Sequence, residues 1–411
     1  MKSDTLSKIV RFGLSEGLVR FIPFITVFSF AKAFDSQLVG KLALLIITLE
    51  VFTIFISNNS AALVRIEFFK KSSLSFRDFL FSLYGNSLWI YAITFLCSLL
   101  SFVFFNVSTS VYLLLAVPLL KSYSLANLAI VQCSKNTNLY LAAQMLFVFT
   151  YLVVFFVFFD EGIFAWSLAM LISSFVQATF LFKASSKSNN SISDYRHNFS
   201  FHWKVYKEGL AFMPQAMGWW IRSGAERYLV AAFFSVSLLG EYVLAFQISA
   251  IAVLIVTAIN LAIVPEINTL LSKESSGYSG VNKIYKFVSL LLSFAMLVLW
   301  IIGSIFIESF YPDYKFSSDI LWLTCLSSFF QALSMVFMNE LYFKGKALQV
   351  AKSVASIFSI QTLLSFILLS IFDSVFIVLI VNSLFAFTLF ATVLFLIMKI
   401  RSDYVLKKNV L

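Results

Sequence analysis

The chain has 411 residues, of which 60% are hydrophobic, 18% aromatic and only 12% charged, with a formal net charge of +10 and a mean hydropathy of +0.92. Soluble domains use roughly 45 to 50% apolar residues, so this composition excludes a soluble globular protein and points to a polytopic membrane protein. The basic excess is too dispersed to form a nucleic-acid-binding stripe.

Apolar stretches follow one another along the chain at 9–31, 38–58, 79–105, 111–132, 139–159, 162–183, 208–234, 238–264, 286–307, 319–342, 350–372 and 375–398. Each approaches the ~20 helical residues needed to cross a hydrocarbon core about 30 Å thick. None shows the short alternating pattern of a transmembrane strand. The expected fold class is therefore all-α and polytopic, with about 12 transmembrane helices. The first stretch follows basic residues as a signal peptide would, but Arg20 interrupts it and no small-residue cleavage site follows, so it reads as an uncleaved helix.

Placing the N-terminus in the cytoplasm puts Lys8, Arg11, Arg65, Lys70, Lys71, Lys283, Lys344 and Lys408 on the inner side. Lys32, Lys41 and Lys315 fall outside, among Asp35, Asp160, Glu161, Glu308, Asp313 and Asp373. This bias predicts both termini on the inner side, and topology alone accounts for the net positive charge.

The sizeable polar stretch KASSKSNNSISDYRHNFSFHWK, 183–204, predicts an N-terminal six-helix half at 1–183, a cytoplasmic linker at 184–203 and a C-terminal half at 204–411. His197 and His202 lie in it with no cysteine or carboxylate pair nearby, which reads as solvated loop. Cys97, Cys133 and Cys325 sit in or at the ends of spans without metal spacing and read as packing residues. No metal or cofactor site is expected.

Two echoes support a repeat. EGLVRFIP at 16–23 and EGLAFMP at 208–214 each begin the first helix of a half; LVGKLALL at 38–45 and LLGEYVLA at 238–245 each open the second. Halves of six helices share one topology, related by an axis along the membrane normal. The expectation is thus two six-helix pseudo-repeats.

Pro23, Pro118 and Pro214 fall inside predicted spans one, four and seven, where a missing backbone donor bends a helix. Irregular backbone at membrane depth is tolerated where it lines a cavity or is buried in protein. The same spans carry Arg20, Lys121, Arg222 and, nearer one end, Arg227. An ionisable residue at that depth costs at least about 2.5 kcal/mol and needs a partner or water. Their carboxylate counterparts are Glu50 in the second span and Glu226, four residues from Arg222 and able to pair with it. One reading is a cationic cavity for an anionic substrate, since guanidinium and ammonium groups both suit phosphate. The other is a set of structural ion pairs with a snorkelling lysine. Trp219 and Trp220 read either as sugar-stacking platforms or as packing.

From helix seven onward the chain resembles the Wzx-type polysaccharide flippases of the multidrug/oligosaccharidyl-lipid/polysaccharide (MOP) exporter superfamily. The residues concerned are MPQAMGWWIRSGAERYLVAAFFSVSLLGEYVLAFQI, 213–248, in which Pro214, Ser223, Glu226, Arg227, Gly240 and Tyr242 fill the family pattern; IVPEI at 263–267 and FKGKA at 343–347 add to it. Glu226 stands where the family more usually has aspartate. The resemblance implies a MATE/MOP-like fold in a bacterial cytoplasmic membrane. It implies transfer of an undecaprenyl-diphosphate-linked oligosaccharide from the inner to the outer leaflet by alternating access, with no catalytic residues. Its partners would be that polyprenyl-linked substrate, membrane lipids and other polysaccharide-assembly membrane proteins. No GxxxxGK[ST] loop is present, so driving force is expected from the membrane potential or from a proton or sodium gradient, with Glu50 or Glu226 as coupling candidates. The alternatives are a drug/cation antiporter of the same superfamily, which wants a carboxylate-dominated cavity, and a membrane polysaccharide polymerase, which wants a larger outer loop than 308–319.

Overall fold

The computed structural model describes residues 3–104, 109–188, 201–272 and 278–410. The predicted linker lies mostly outside these, as does His197. In chain order the helices are α1 (Ser3–Ala33), α2 (Ser36–Ser57), α3 (Ser60–Glu67), α4 (Ser73–Phe104), α5 (Thr109–Leu115), α6 (Val117–Cys133), α7 (Thr137–Val157) and α8 (Ile163–Ser188). They continue as α9 (Trp203–Leu210), α10 (Met213–Trp220), α11 (Glu226–Phe233), α12 (Val236–Ser249), α13 (Ile251–Leu271), α14 (Tyr278–Phe310), α15 (Lys315–Phe343), α16 (Ala347–Leu369) and α17 (Val375–Val410). No strand occurs among the described residues. Among the described residues, ten helical segments are long and apolar enough to cross a bilayer, and α1 and the broken run 203–233 correspond to the two other predicted spans. The protein is an all-α, multi-pass membrane protein.

Local chemistry sets the helix ends. Asp35 Oδ1 accepts from Leu38 N at 2.8 Å, Asn136 Oδ1 from Leu139 N at 3.2 Å and Ser235 Oγ from Leu238 N at 3.0 Å, each a side-chain cap on an otherwise unpaired donor. Asn58 and Asn59, both with positive φ, part α2 from α3. The turns after α6 and α15 close alike. Lys135 and Gly345 take left-handed φ of 58° and 71°, while Asn136 N donates to Val131 O at 3.2 Å and Lys346 N to Leu341 O at 2.9 Å. These are six-to-one bonds of the Schellman type.

Pro23 lies inside α1, and Pro265 inside α13. Pro118 and Pro214 each stand second in the helix that follows a short interruption, α6 or α10, while Ala116 and Ala211 before them keep right-handed helical backbone. The chain breaks before them, at Ala116 and at Ala211–Phe212.

Packing groups the helices into two compact units that do not follow the chain's midpoint. Unit 1 comprises Met1–Ile22 and Leu45–Met217; unit 2 comprises Pro23–Leu44 and Gly218–Leu411. The chain therefore changes unit within α1 at Pro23, within α2 after Leu44, and within α10 after Met217.

In unit 1, α8 packs on α6 and α7, and α3 lies against α6. Leu63, Val64, Phe79, Leu83, Ala126 and Ala129 form one apolar cluster. The start of helix seven is docked here by its backbone. Asn86 donates to His202 O at 3.1 Å and accepts from His202 N at 2.7 Å, while Asn58 Nδ2 donates to Tyr206 O at 2.9 Å. Gly209 permits this approach, since a Cβ there would stand 2.4 Å from Asn58 O. Gly17, its counterpart in the EGL echo, has nothing within 4 Å.

In unit 2, α15 is central, with α12, α13, α14, α16 and α17 around it. Leu292, Val336, Leu341, Val354, Phe358 and Val393 belong to its core. On α14, Val281, Tyr285, Val288, Leu292, Met296 and Ile307 are buried, whereas Phe287, Leu290, Phe294, Leu297, Ile301 and Ile305 are exposed. Both sets recur at helical spacing, so the exposed apolar face is the one a lipid environment would cover.

Candidate functional site

Arg20 and Lys121 belong to unit 1, and Arg222 and Arg227 to unit 2. Arg20 is exposed on α1, and Lys121 is half-buried on α6, one turn beyond Pro118. Glu50, exposed on α2, is the carboxylate whose charge acts on Lys121. Beside Lys121, Ser122 Oγ pairs with Ser87 Oγ at 2.9 Å, and Tyr84 and Tyr123 meet edge to face at 4.9 Å. Pro118 also lines a small apolar pocket, with Leu45, Leu49, Phe52, Tyr91 and Leu114.

Arg222 and Glu226 are each only 1% exposed. Arg222 sits in a π turn, Ile221–Ala225, an irregularity often found at functional sites. It donates to Ser327 Oγ on α15 at 2.7 Å and lies over the Phe358 ring at 5.9 Å. Ser327 in turn donates to Asn382 Oδ1 at 2.6 Å. Glu226 heads α11 and accepts from three neutral donors: Tyr242 Oη at 2.7 Å, Gln361 Nε2 and Asn382 Nδ2. The pairing suggested by the four-residue spacing takes another form. Among the described residues no direct ion pair joins Arg222 and Glu226; Asn382 and Ser327 link them, and the two charges act on each other at longer range.

Arg227 is 8% exposed, with its guanidinium 5.0 Å from the centroid of Phe246. Trp219 packs on Phe358 at 5.7 Å and Trp220 lies 6.4 Å from Tyr228, so both have aromatic neighbours within unit 2.

Of the residues converging on Glu226, the sequence singles out Tyr242, through the family pattern. It offers no sign that Gln361 and Ser327 join it. A second buried carboxylate, Glu340, is 1% exposed. Arg401 on α17 grips it in a fork, Nε to Oε1 at 2.8 Å and Nη2 to Oε2 at 2.6 Å, and also donates to Asn282 at 2.8 Å. Three helices are thereby tied together. No group of three or more potential metal-ligating His, Cys, Asp or Glu side chains occurs among the described residues.

No protein-family model matches the chain, and no curated protein matches its sequence. Solved structures do match its fold. The lipid II flippase MurJ in an inward closed conformation superposes with a TM-score of 0.66 at 17% identity, covering 98% of this chain and 91% of that one. The MATE transporter VcmN of Vibrio cholerae, as its D35N mutant, gives 0.62 at 15% identity over 98% and 99%. An inward-facing multidrug resistance MATE transporter of the MOP superfamily gives 0.58 at 13% identity over 96% and 95%. The chain has the MATE/MurJ-like fold over essentially its whole length.

Proposed function

We propose that this protein is a flippase, carrying a polyprenyl-diphosphate-linked oligosaccharide from the inner to the outer leaflet of a bacterial cytoplasmic membrane. The shared fold supports membrane transport, and MurJ, one of the proteins sharing it, is a lipid II flippase. The observation favouring an anionic substrate is the unequal state of the deep charges. Arg20 and Lys121 retain exposure within unit 1, whereas the buried carboxylate of unit 2, Glu226, is already occupied by Tyr242, Gln361 and Asn382. Cationic side chains of unit 1 thus keep surface that a diphosphate can reach, while the buried carboxylate of unit 2 accepts from neutral donors. In this reading Arg20 and Lys121 of unit 1 receive the phosphates; within unit 2, Arg222 is held by Ser327 and Arg227 lies against Phe246.

The MATE relationship favours a second reading, a drug/cation antiporter. The two separate on one experiment, the leaflet distribution of lipid-linked oligosaccharide in cells lacking this protein. Accumulation on the cytoplasmic side with unchanged drug susceptibility is expected. Normal outer-leaflet appearance with altered polymer length indicates a polymerase, and altered drug susceptibility alone indicates the antiporter.

A further inference from the structure

The face of α14 turned away from the core of unit 2 changes character along its length. Phe287, Leu290, Phe294, Leu297, Ile301 and Ile305 are exposed and recur every three or four residues, so they form one stripe. At 1.5 Å per residue the stripe is about 27 Å long, close to the thickness of a hydrocarbon core. Lys283 and Lys286, both exposed, stand four residues before Phe287 and Leu290 and so continue the same face as two cations. At its other end stands Glu308, three residues beyond Ile305 and also exposed. An apolar stripe headed by two cations is complementary to an amphiphile with an anionic head.

The surrounding side chains leave this charge unanswered. Among the described residues neither Lys283 nor Lys286 forms an ion pair, whereas Lys70 and Lys71 of unit 1 reach Glu67 at 3.6 and 3.3 Å. The buried carboxylate at this end of unit 2, Glu340, is held by the Arg401 fork. Two exposed carboxylates stand on neighbouring elements, Glu266 on α13 and Asp403 on α17, and among the described residues neither is ion-paired. The start of α14 is also held in place. Arg401 donates to Asn282 at 2.8 Å and lies 4.7 Å from the centroid of the Tyr278 ring, which Lys344 approaches at 5.8 Å. Two further cations thus stand against the first turn of the helix that carries the lysine pair.

We propose that the start of α14 is a binding site for an anionic phospholipid. Lys283 and Lys286 receive its phosphate, and Phe287, Leu290 and Phe294 carry its acyl chains. A lysine stem lies along apolar surface while its ammonium reaches the headgroup level, so both parts of the lipid are met by one helix face. A zwitterionic lipid offers the same chains without the net charge. Two lysines near an anionic surface correspond to about a thirtyfold preference for it. The site stands whether or not the cargo is the one proposed above.

The test uses full-length protein in a neutral detergent, with thermal unfolding followed while lipid is added. Phosphatidylglycerol should raise the melting temperature, and phosphatidylcholine with the same chains should not, because a ligand that binds only the folded state stabilises it. In Lys283→Gln with Lys286→Gln the apparent affinity for phosphatidylglycerol should fall about tenfold or more, and Lys283→Arg with Lys286→Arg should retain it. A further readout needs no variant: in the parent the difference between the two lipids should shrink as salt is raised from 50 mM to about 1 M, where screening shortens to about 3 Å. Equal response of the parent to both lipids overturns the proposal. So does full phosphatidylglycerol affinity in the glutamine variant, or a preference indifferent to salt. Inorganic phosphate that stabilises as much as the lipid replaces the lipid site with a free-anion site, and a lipid-independent dimer whose cross-links map to Phe294→Cys gives this face to a second copy of the chain; either result overturns the assignment.

Discussion

Glu226 shows how a deep charge is maintained by its neighbours. Tyr242→Phe removes one of its three donors and is expected to cost about 0.6 to 1.7 kcal/mol, the range for a polar contact between membrane helices. Glu226→Ala strands the donors and leaves buried Arg222 without its countercharge, so about 3 to 5 kcal/mol is expected. Thermal unfolding in detergent orders the two variants. Lys121→Ala and Arg20→Ala act differently. Neither residue is fully buried, so folding should persist while transfer falls about tenfold or more, the equivalent of one charge-assisted contact. Lys121→Arg should recover much of the loss. The candidate charges were legible in the sequence because an ionisable residue in an apolar run needs explaining. Their partners were not, since Gln361 and Ser327 look like ordinary polar residues until α16 brings the one to Glu226 and α15 the other to Arg222.

Helix ends and ties carry the next set of effects. The turns after α6 and α15 close by the same motif, but one places Lys135 at φ 58° and the other Gly345 at φ 71°. Left-handed backbone costs a side chain about 1 to 2 kcal/mol, offset in part by the greater unfolded freedom of glycine. Lys135→Gly should therefore stabilise slightly, and Gly345→Ala should destabilise, as melting temperatures will show. Arg401→Ala removes the fork on buried Glu340 and should cost about 3 to 5 kcal/mol; transfer per folded molecule should change less than folding itself. Long apolar helices were predictable from hydropathy. The breaks before Pro118 and Pro214 were less so, because a proline in an apolar run marks either a bend or a new beginning, and only the backbone distinguishes them.

At the scale of the whole molecule, the proposed cargo sets an energetic expectation. An inside-negative potential favours outward movement of anions by about 2.3 kcal/mol per charge per 100 mV, roughly twice that for a doubly charged diphosphate. Outward transfer should slow when the potential is collapsed and persist when ATP is depleted at fixed potential. Leaflet-specific labelling of the oligosaccharide in energised vesicles measures both. Transfer that follows ATP at constant potential is the opposite result and removes the potential as the driving force.

Composition, span length and spacing determined the all-α, polytopic character of this protein, because crossing a bilayer demands apolar helices whatever their neighbours. The echoes EGL and LVGKLALL/LLGEYVLA were also visible in sequence, but their meaning was not. Gly209 is required by its approach to Asn58 while Gly17 faces open space, and Gly40 and Gly240 meet across a crossing that puts residues 23–44 into unit 2. Helix-to-helix contact depends on shape at sub-ångström distances between residues far apart in the chain, and hydropathy carries no record of it. Only the tertiary structure decided which small residues hold backbones together, and which charges are spent on neighbours.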